Sequence, residues 1–135
     1  MNSPSFLAPS LAVALGGGFG AWLRFLAGRA IAALIGPAAA TAFPWATLAI
    51  NLSGSFAMGL LAGWLARHGA AGETWRLLLG VGVLGGFTTF SAFSLEIANL
   101  AMRGTTGLAA LYALTSVAGG IAGLFAGLAL MRSVA

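Results

Sequence analysis

The sequence predicts an all-α integral membrane protein of four spanning helices, the third broken near the bilayer centre. Composition is the first reason. Of 135 residues, 60% are hydrophobic and only 6% charged, against roughly 25% charged in a soluble domain. The mean hydropathy is +1.02. The second reason is spacing: turn and charged residues cut the chain into four apolar stretches, each near the roughly 20 residues that a spanning helix needs. The third is the run Gly85-Gly86-Phe87-Thr88-Thr89-Phe90-Ser91-Ala92-Phe93-Ser94 in the middle of the third stretch.

The expected helices run over about 10–35, 45–66, 75–102 and 107–131, in one transmembrane domain covering 1–135. The first ends at Gly36-Pro37, with a loop over Ala38–Phe43. Pro44 stands where the second can begin, because a first-turn proline loses no helical hydrogen bond. The polar segment from Arg67-His68-Gly69 to Glu73-Thr74 separates the second helix from the third, and Arg103-Gly104-Thr105-Thr106 forms the last turn. The segment Met1–Gly20 has no basic start and is not read as a cleaved signal peptide. In the third stretch, glycines and β-branched threonines follow one another, and both weaken a helix. Irregular backbone at that depth survives only inside protein or beside water. Broken helices also present free N–H and C=O groups, as ion-handling proteins use them.

Several function classes fall away. A soluble enzyme and a disordered regulator do not carry this hydropathy. The net charge of +4 rests on six Arg without a basic run, so nucleic acid is not an expected partner. There is no Cys, one His (His68) and two carboxylates, Glu73 and Glu96, too few for a usual zinc or di-metal site or for a nucleophile–base pair. Gly80-Val81-Gly82-Val83-Leu84-Gly85 matches GxGxxG but lacks a strand–helix context, so these are expected to be helix-packing glycines.

Charge hardly distinguishes the two sides of the membrane. One side holds Arg67, Arg76 and Arg132; the other holds Arg103 and Arg29, with Arg24 inside the first helix. One reading is a weak positive-inside signal. The other is dual topology, with the chain inserting both ways and pairing as an antiparallel homodimer. Gly16/Gly20, Gly59/Gly63 and Gly119/Gly123/Gly127, all spaced i, i+4, let helix backbones approach closely in lipid, within one bundle or against a partner.

Intramembrane polar groups are costly and so are candidates for function. Thr47, Asn51 and Ser55 share one face of the second helix, and Tyr112 and Ser116 share one face of the fourth. Each alone suits an interhelical hydrogen bond; together they form a row of donors to an anion. Phe90 and Phe93 are three apart, and a phenyl edge is electropositive. Such a path binds an anion weakly enough to let it leave.

Gly20-Ala21-Trp22-Leu23-Arg24, Thr47-Leu48-Ala49-Ile50-Asn51-Leu52-Ser53-Gly54-Ser55 and Gly85-Gly86-Phe87-Thr88-Thr89-Phe90-Ser91-Ala92-Phe93 closely resemble the Fluc (CrcB) family of microbial fluoride channels, in order and spacing over nearly the whole chain. The GGxTTFSxF element is the specific one. The resemblance implies a channel passively exporting fluoride across the inner (plasma) membrane, as a multi-pass antiparallel homodimer with two pores. It implies a structural Na⁺ at the dimer interface, held by the carbonyls of Gly85 and Thr88. Asn51, Phe90 and Phe93 are then pore residues, with Thr47, Tyr112, Ser116 and Glu96 along a polar track and Arg24 in the vestibule. Some relatives carry a serine where this chain has Gly120, so Gly120 is left out.

Three other readings fit the sequence less well. A proton-coupled exporter of the small dual-topology type needs a carboxylate deep in the first helix, and Ser10–Ile35 has none. A proton-coupled fluoride exporter would have to work through Glu96 alone. A non-transporting scaffold subunit has no use for a broken helix carrying hydroxyls and paired phenylalanines.

Overall fold

The computed structural model describes residues 6–134, with the side chains of all of these except 70 and 71. The first residues of the N-terminal segment, Met1–Ser5, lie outside them. The described residues form helices without strands: α1 (Leu7–Ala42), α2 (Trp45–His68), α3 (Glu73–Met102, interrupted) and α4 (Thr106–Ser133). All four are long and apolar enough to cross a membrane. Large apolar side chains such as Leu15, Leu114 and Phe125 point outward, as they do when the surrounding solvent is lipid rather than water.

The end of α1 departs from the sequence expectation. The stretch Ala38–Phe43 was expected as a loop, but the helix continues to Ala42. Gly36 has φ 81° and ψ 163°, a backbone region that non-glycine residues rarely enter. Pro37 then restarts the helix, its missing N–H costing nothing at a first helical position. Gly-Pro here is a kink rather than a stop. Phe43 is extended at φ −150° and ψ 144°, and the chain reverses into α2.

Two glycine seams hold the bundle. Along α2 and α4, a Cβ on Gly127 would strike the Phe56 carbonyl, and one on Gly63 would lie 2.7 Å from Met131 Cβ. Along α1 and the first half of α3, a Cβ on Gly16 would sit 2.5 Å from the Leu78 carbonyl, and one on Gly82 would sit 3.0 Å from Gly16 Cα. A Cβ on Gly20 would strike the Val83 carbonyl. The GxGxxG run therefore packs one helix on another.

The third span consists of Glu73–Trp75, a π-helical stretch Arg76–Leu84, a turn Gly85–Phe87, and then Phe90–Met102. The Gly85 N–H reaches back to the Gly80 carbonyl, the i→i−5 bond of a π-turn. Between the halves, Thr88 and Thr89 are extended, with ψ 160° and φ −150° respectively. The expected break is thus present at Thr88–Thr89. A small core lies beyond it, where Phe93, Leu100, Ala109 and Tyr112 are buried with Phe43 and Ile97 packed against them.

Candidate functional site

An extended pair of residues inside a helix leaves peptide groups without helical partners, and in a membrane each needs another. The last bond of the first half runs from Thr88 N–H to the Leu84 carbonyl at 3.0 Å. The Thr89 peptide is then taken over by one side chain of α2. The Thr89 N–H donates to Asn51 Oδ1 at 2.9 Å, and Asn51 Nδ2 donates to the Thr89 carbonyl at 3.0 Å. A carboxamide carries both an acceptor and donors, so Asn51 pairs with Thr89 as a neighbouring strand would. The second half starts with a cap: Thr89 Oγ1 accepts from the Ala92 N–H at 3.3 Å.

This revises the expected role of Asn51. The sequence places its carboxamide among donors to an anion, yet one N–H is committed to Thr89. Its second N–H alone is left for a ligand. The Thr88 and Ser94 hydroxyls are committed as well, donating to the Leu84 and Phe90 carbonyls at 2.9 Å each.

Asn51, Ser55, Thr89, Phe90, Phe93 and Ser116 line one cavity of about 300 Å³. Gly54 makes room for it, because a Cβ there would collide with the Thr88 side chain. Ser116 Oγ is buried in this wall without a hydrogen-bond partner. Buried hydroxyls are nearly always paired, so an orphan in a cavity wall is a candidate to meet a ligand or water. The two phenylalanines sit with centroids 5.5 Å apart but in different surroundings. Phe93 is 7% exposed and Phe90 79% exposed; one is core and the other projects from it.

Towards the α1–α2 turn, three expected residues meet. Thr47 Oγ1 donates to Glu96 Oε1 at 2.6 Å, and the Tyr112 hydroxyl donates to Glu96 Oε2 at 2.7 Å. Tyr112 is fully buried, its ring 5.3 Å from Phe93 and, edge-on, 5.3 Å from Phe43. Thr47 and Tyr112 spend their protons on the carboxylate instead of offering them to a passing anion. Ser116 stands one turn from Tyr112, outside this trio.

Arg24 is half-buried, and its Nη1 donates to the Thr88 carbonyl at 3.1 Å. With Arg29, Thr47, Thr89 and Ser91 it lines a second cavity of about 520 Å³. A carbonyl has two lone pairs, so Thr88 keeps one beyond Arg24. The Gly85 carbonyl is also released, since the Thr89 N–H that would close its helical turn goes to Asn51 instead. Two freed carbonyl oxygens three residues apart are hard donors of the kind that replace the hydration of an alkali cation. In donor chemistry the two oxygens suit part of an Na⁺ shell.

Ser55 belongs to the cavity wall as well, one turn after Asn51 on the face where the spacing places it in the donor row, although the family resemblance assigns it no role. Arg29 and Asn99 carried no such signal.

Comparison with known proteins matches this picture. The model of the family described as "CrcB-like protein, Camphor Resistance (CrcB)" matches residues 11–128. A protein of Novosphingobium aromaticivorans named "Fluoride-specific ion channel FluC" is 67% identical over 123 residues, 91% of this chain and 95% of that protein. Proteins of the same name from Rhodopseudomonas palustris and Rhodospirillum centenum are 54% and 52% identical, covering 92% and 91% of this chain and 97% and 94% of their own lengths. A four-span membrane chain matched this far along its length, with its third helix broken at Thr88–Thr89, belongs to the CrcB family.

Proposed function

We propose that this protein is a fluoride channel, not an enzyme, that lets the anion leave the cell passively across the inner membrane. The observation that carries this reading is the cavity at the helix break, whose wall brings together Asn51, Phe90, Phe93 and Ser116, the last with a buried hydroxyl that has no hydrogen-bond partner among the described residues. Fluoride is a small, strong acceptor. Hydroxyl and amide donors with ring edges can replace part of its hydration without a fixed cation that would hold it. An inside-negative potential then drives the anion outward by about 2.3 kcal/mol per 100 mV. The names of the relatives point the same way.

The working unit in this reading is an antiparallel homodimer with two pores. Phe90 is 79% exposed, and Ser91 and Ser94 beside it are exposed too. Hydroxyls and irregular backbone at mid-depth do not face lipid, and a second copy covers them. The balanced Arg distribution suits opposite insertion. Where two copies meet, the Gly85 and Thr88 carbonyls of each supply the oxygens for a structural Na⁺, whose charge holds the two breaks together. Arg24, bonded to the Thr88 carbonyl, fixes that oxygen and lends positive charge to the vestibule.

The test is fluoride efflux from liposomes containing purified protein, followed with a fluoride electrode, with chloride-loaded vesicles as control. Rapid fluoride release without chloride release, lost in Phe90→Ile, is the expected result. Tight vesicles containing folded protein would sink this reading in favour of coupled exchange through Glu96.

A further inference from the structure

A third cavity, of about 250 Å³, lies between the end of α1, the α1–α2 turn and the last turns of α3, lined by Thr41, Phe43, Glu96, Asn99 and Arg103. We infer that this cavity is the outer mouth of the anion path, where Arg103 and Asn99 collect the anion and hand it past Glu96 towards the Phe93 cavity. The inference rests on the channel reading above.

Position along α3 comes first. At about 1.5 Å per residue, Glu96 lies about 10 Å from Thr89, Asn99 about 15 Å and Arg103 about 20 Å. The hydrocarbon half-thickness is about 15 Å. With the break at the bilayer centre, the Glu96 trio is submerged and needs a polar route to water. Glu96, Asn99 and Arg103 lie within about 60° of one another around the helix, because steps of three and seven residues return nearly to the same face. The cavity is that route. At its inner end Glu96 holds Tyr112, whose ring packs against Phe93 of the first cavity's wall, so this packed pair stands between the two cavities.

Chemistry comes second. Arg103 Nη1 donates to the Thr41 carbonyl at 3.0 Å. That bond exists because the kink at Gly36 lets α1 continue over this end of α3. It holds the guanidinium at the rim, and its other N–H groups have no hydrogen-bond partner among the described residues. Among the described residues the one ion pair is Arg76–Glu73, so Arg103 has no ion-pair partner among them. Asn99 is half-buried in the wall, with no hydrogen bond to its side chain among the described residues. A fixed cation and a carboxamide at a mouth raise the local anion concentration.

A purely structural role for Arg103 is capping the Thr41 carbonyl, and the two roles separate cleanly. Arg103→Gln keeps an amide donor for that carbonyl and loses the charge. The chain has no cysteine, so Arg103→Cys gives a single labelling site. Fluoride efflux from liposomes at low ionic strength is expected to fall about threefold in both variants, the effect of one unit charge some 7 Å away in water. Labelling the cysteine with a cationic aminoethyl thiol reagent before reconstitution restores the rate, and an anionic sulfonatoethyl reagent lowers it further. At high concentrations of an impermeant salt the differences vanish, because charges are screened within about 3 Å at 1 M. Equal efflux of wild type and both variants at low ionic strength, with unchanged thermal unfolding, overturns the mouth. A drop that ignores both label charge and salt does so as well and leaves Arg103 a cap. A silent wild type instead overturns the channel reading itself.

Discussion

The two halves of the third helix are built by opposite means. From Glu73 to Phe87 the helix is held by backbone against backbone: Gly82 and Gly86 lie on the α1 glycines, where a Cβ on Gly86 would strike the Gly17 carbonyl. From Phe90 to Met102 it is held by side chains, with Phe93 and Leu100 buried alongside Tyr112 and Ala109 of α4. Close backbone approach gives a rigid seat without polar side chains. Side-chain packing leaves gaps, and it is in those gaps that Glu96, Asn99 and the unpaired Ser116 are found. One half anchors, the other carries chemistry, and Asn51 joins them at Thr89.

The strongest way to break this contrast is Gly86→Leu. Its Cβ would meet backbone at Gly17, including Cα at 3.0 Å, and backbone cannot rotate aside. Gel filtration in detergent is expected to give aggregate and no monodisperse protein. Gly107→Ala, where an added Cβ meets nothing within 4 Å, is expected to stay within about 1 kcal/mol of wild type or to gain slightly. A folded, monodisperse Gly86→Leu protein would mean that the first half is not a backbone seat.

The link between the halves comes next. Asn51→Leu strips Thr89 of both peptide partners, at about 1–3 kcal/mol for each unsatisfied group. Thermal unfolding in detergent should register a loss of roughly 2–6 kcal/mol on that basis, and fluoride flux should fall with it. Stability like wild type would show that the break pairs by other means.

The smallest change probes the side-chain half. Tyr112→Phe keeps the ring against Phe93 and Phe43 but removes the donor to Glu96. One hydrogen bond to a carboxylate contributes about 1–3 kcal/mol, so a modest drop in unfolding temperature is expected. If Tyr112→Phe destabilises as severely as Gly86→Leu, the trio rather than the apolar core holds this half together.

Much of this was legible in the chain itself. Four spans follow from hydropathy and length, because a bilayer sets one thickness for every helix. The break follows from two glycines and two threonines in succession, whose propensities are local. The packing glycines were legible because small residues at i, i+4 are the means by which helices approach in lipid. Gly36-Pro37 is not legible in this way, because the same dipeptide serves a stop or a kink, and only the packing of the segment after it decides which.

The sequence alone determined the medium, the number of spans, the place of the break and the set of polar residues submerged with it. Tertiary structure decided what each polar group is spent on. Asn51 meets Thr89 from 38 residues away, Thr47 meets Glu96 from 49 and Arg103 meets Thr41 from 62. It also decided that Phe93 is buried while Phe90 projects outward, though both lie on one short helix. A donor row read along a helix shows only which groups share a face. Whether each proton is free for an anion or already held by a carbonyl or carboxylate depends on what the neighbouring helix brings within about 3 Å, and that is set by packing, not by spacing.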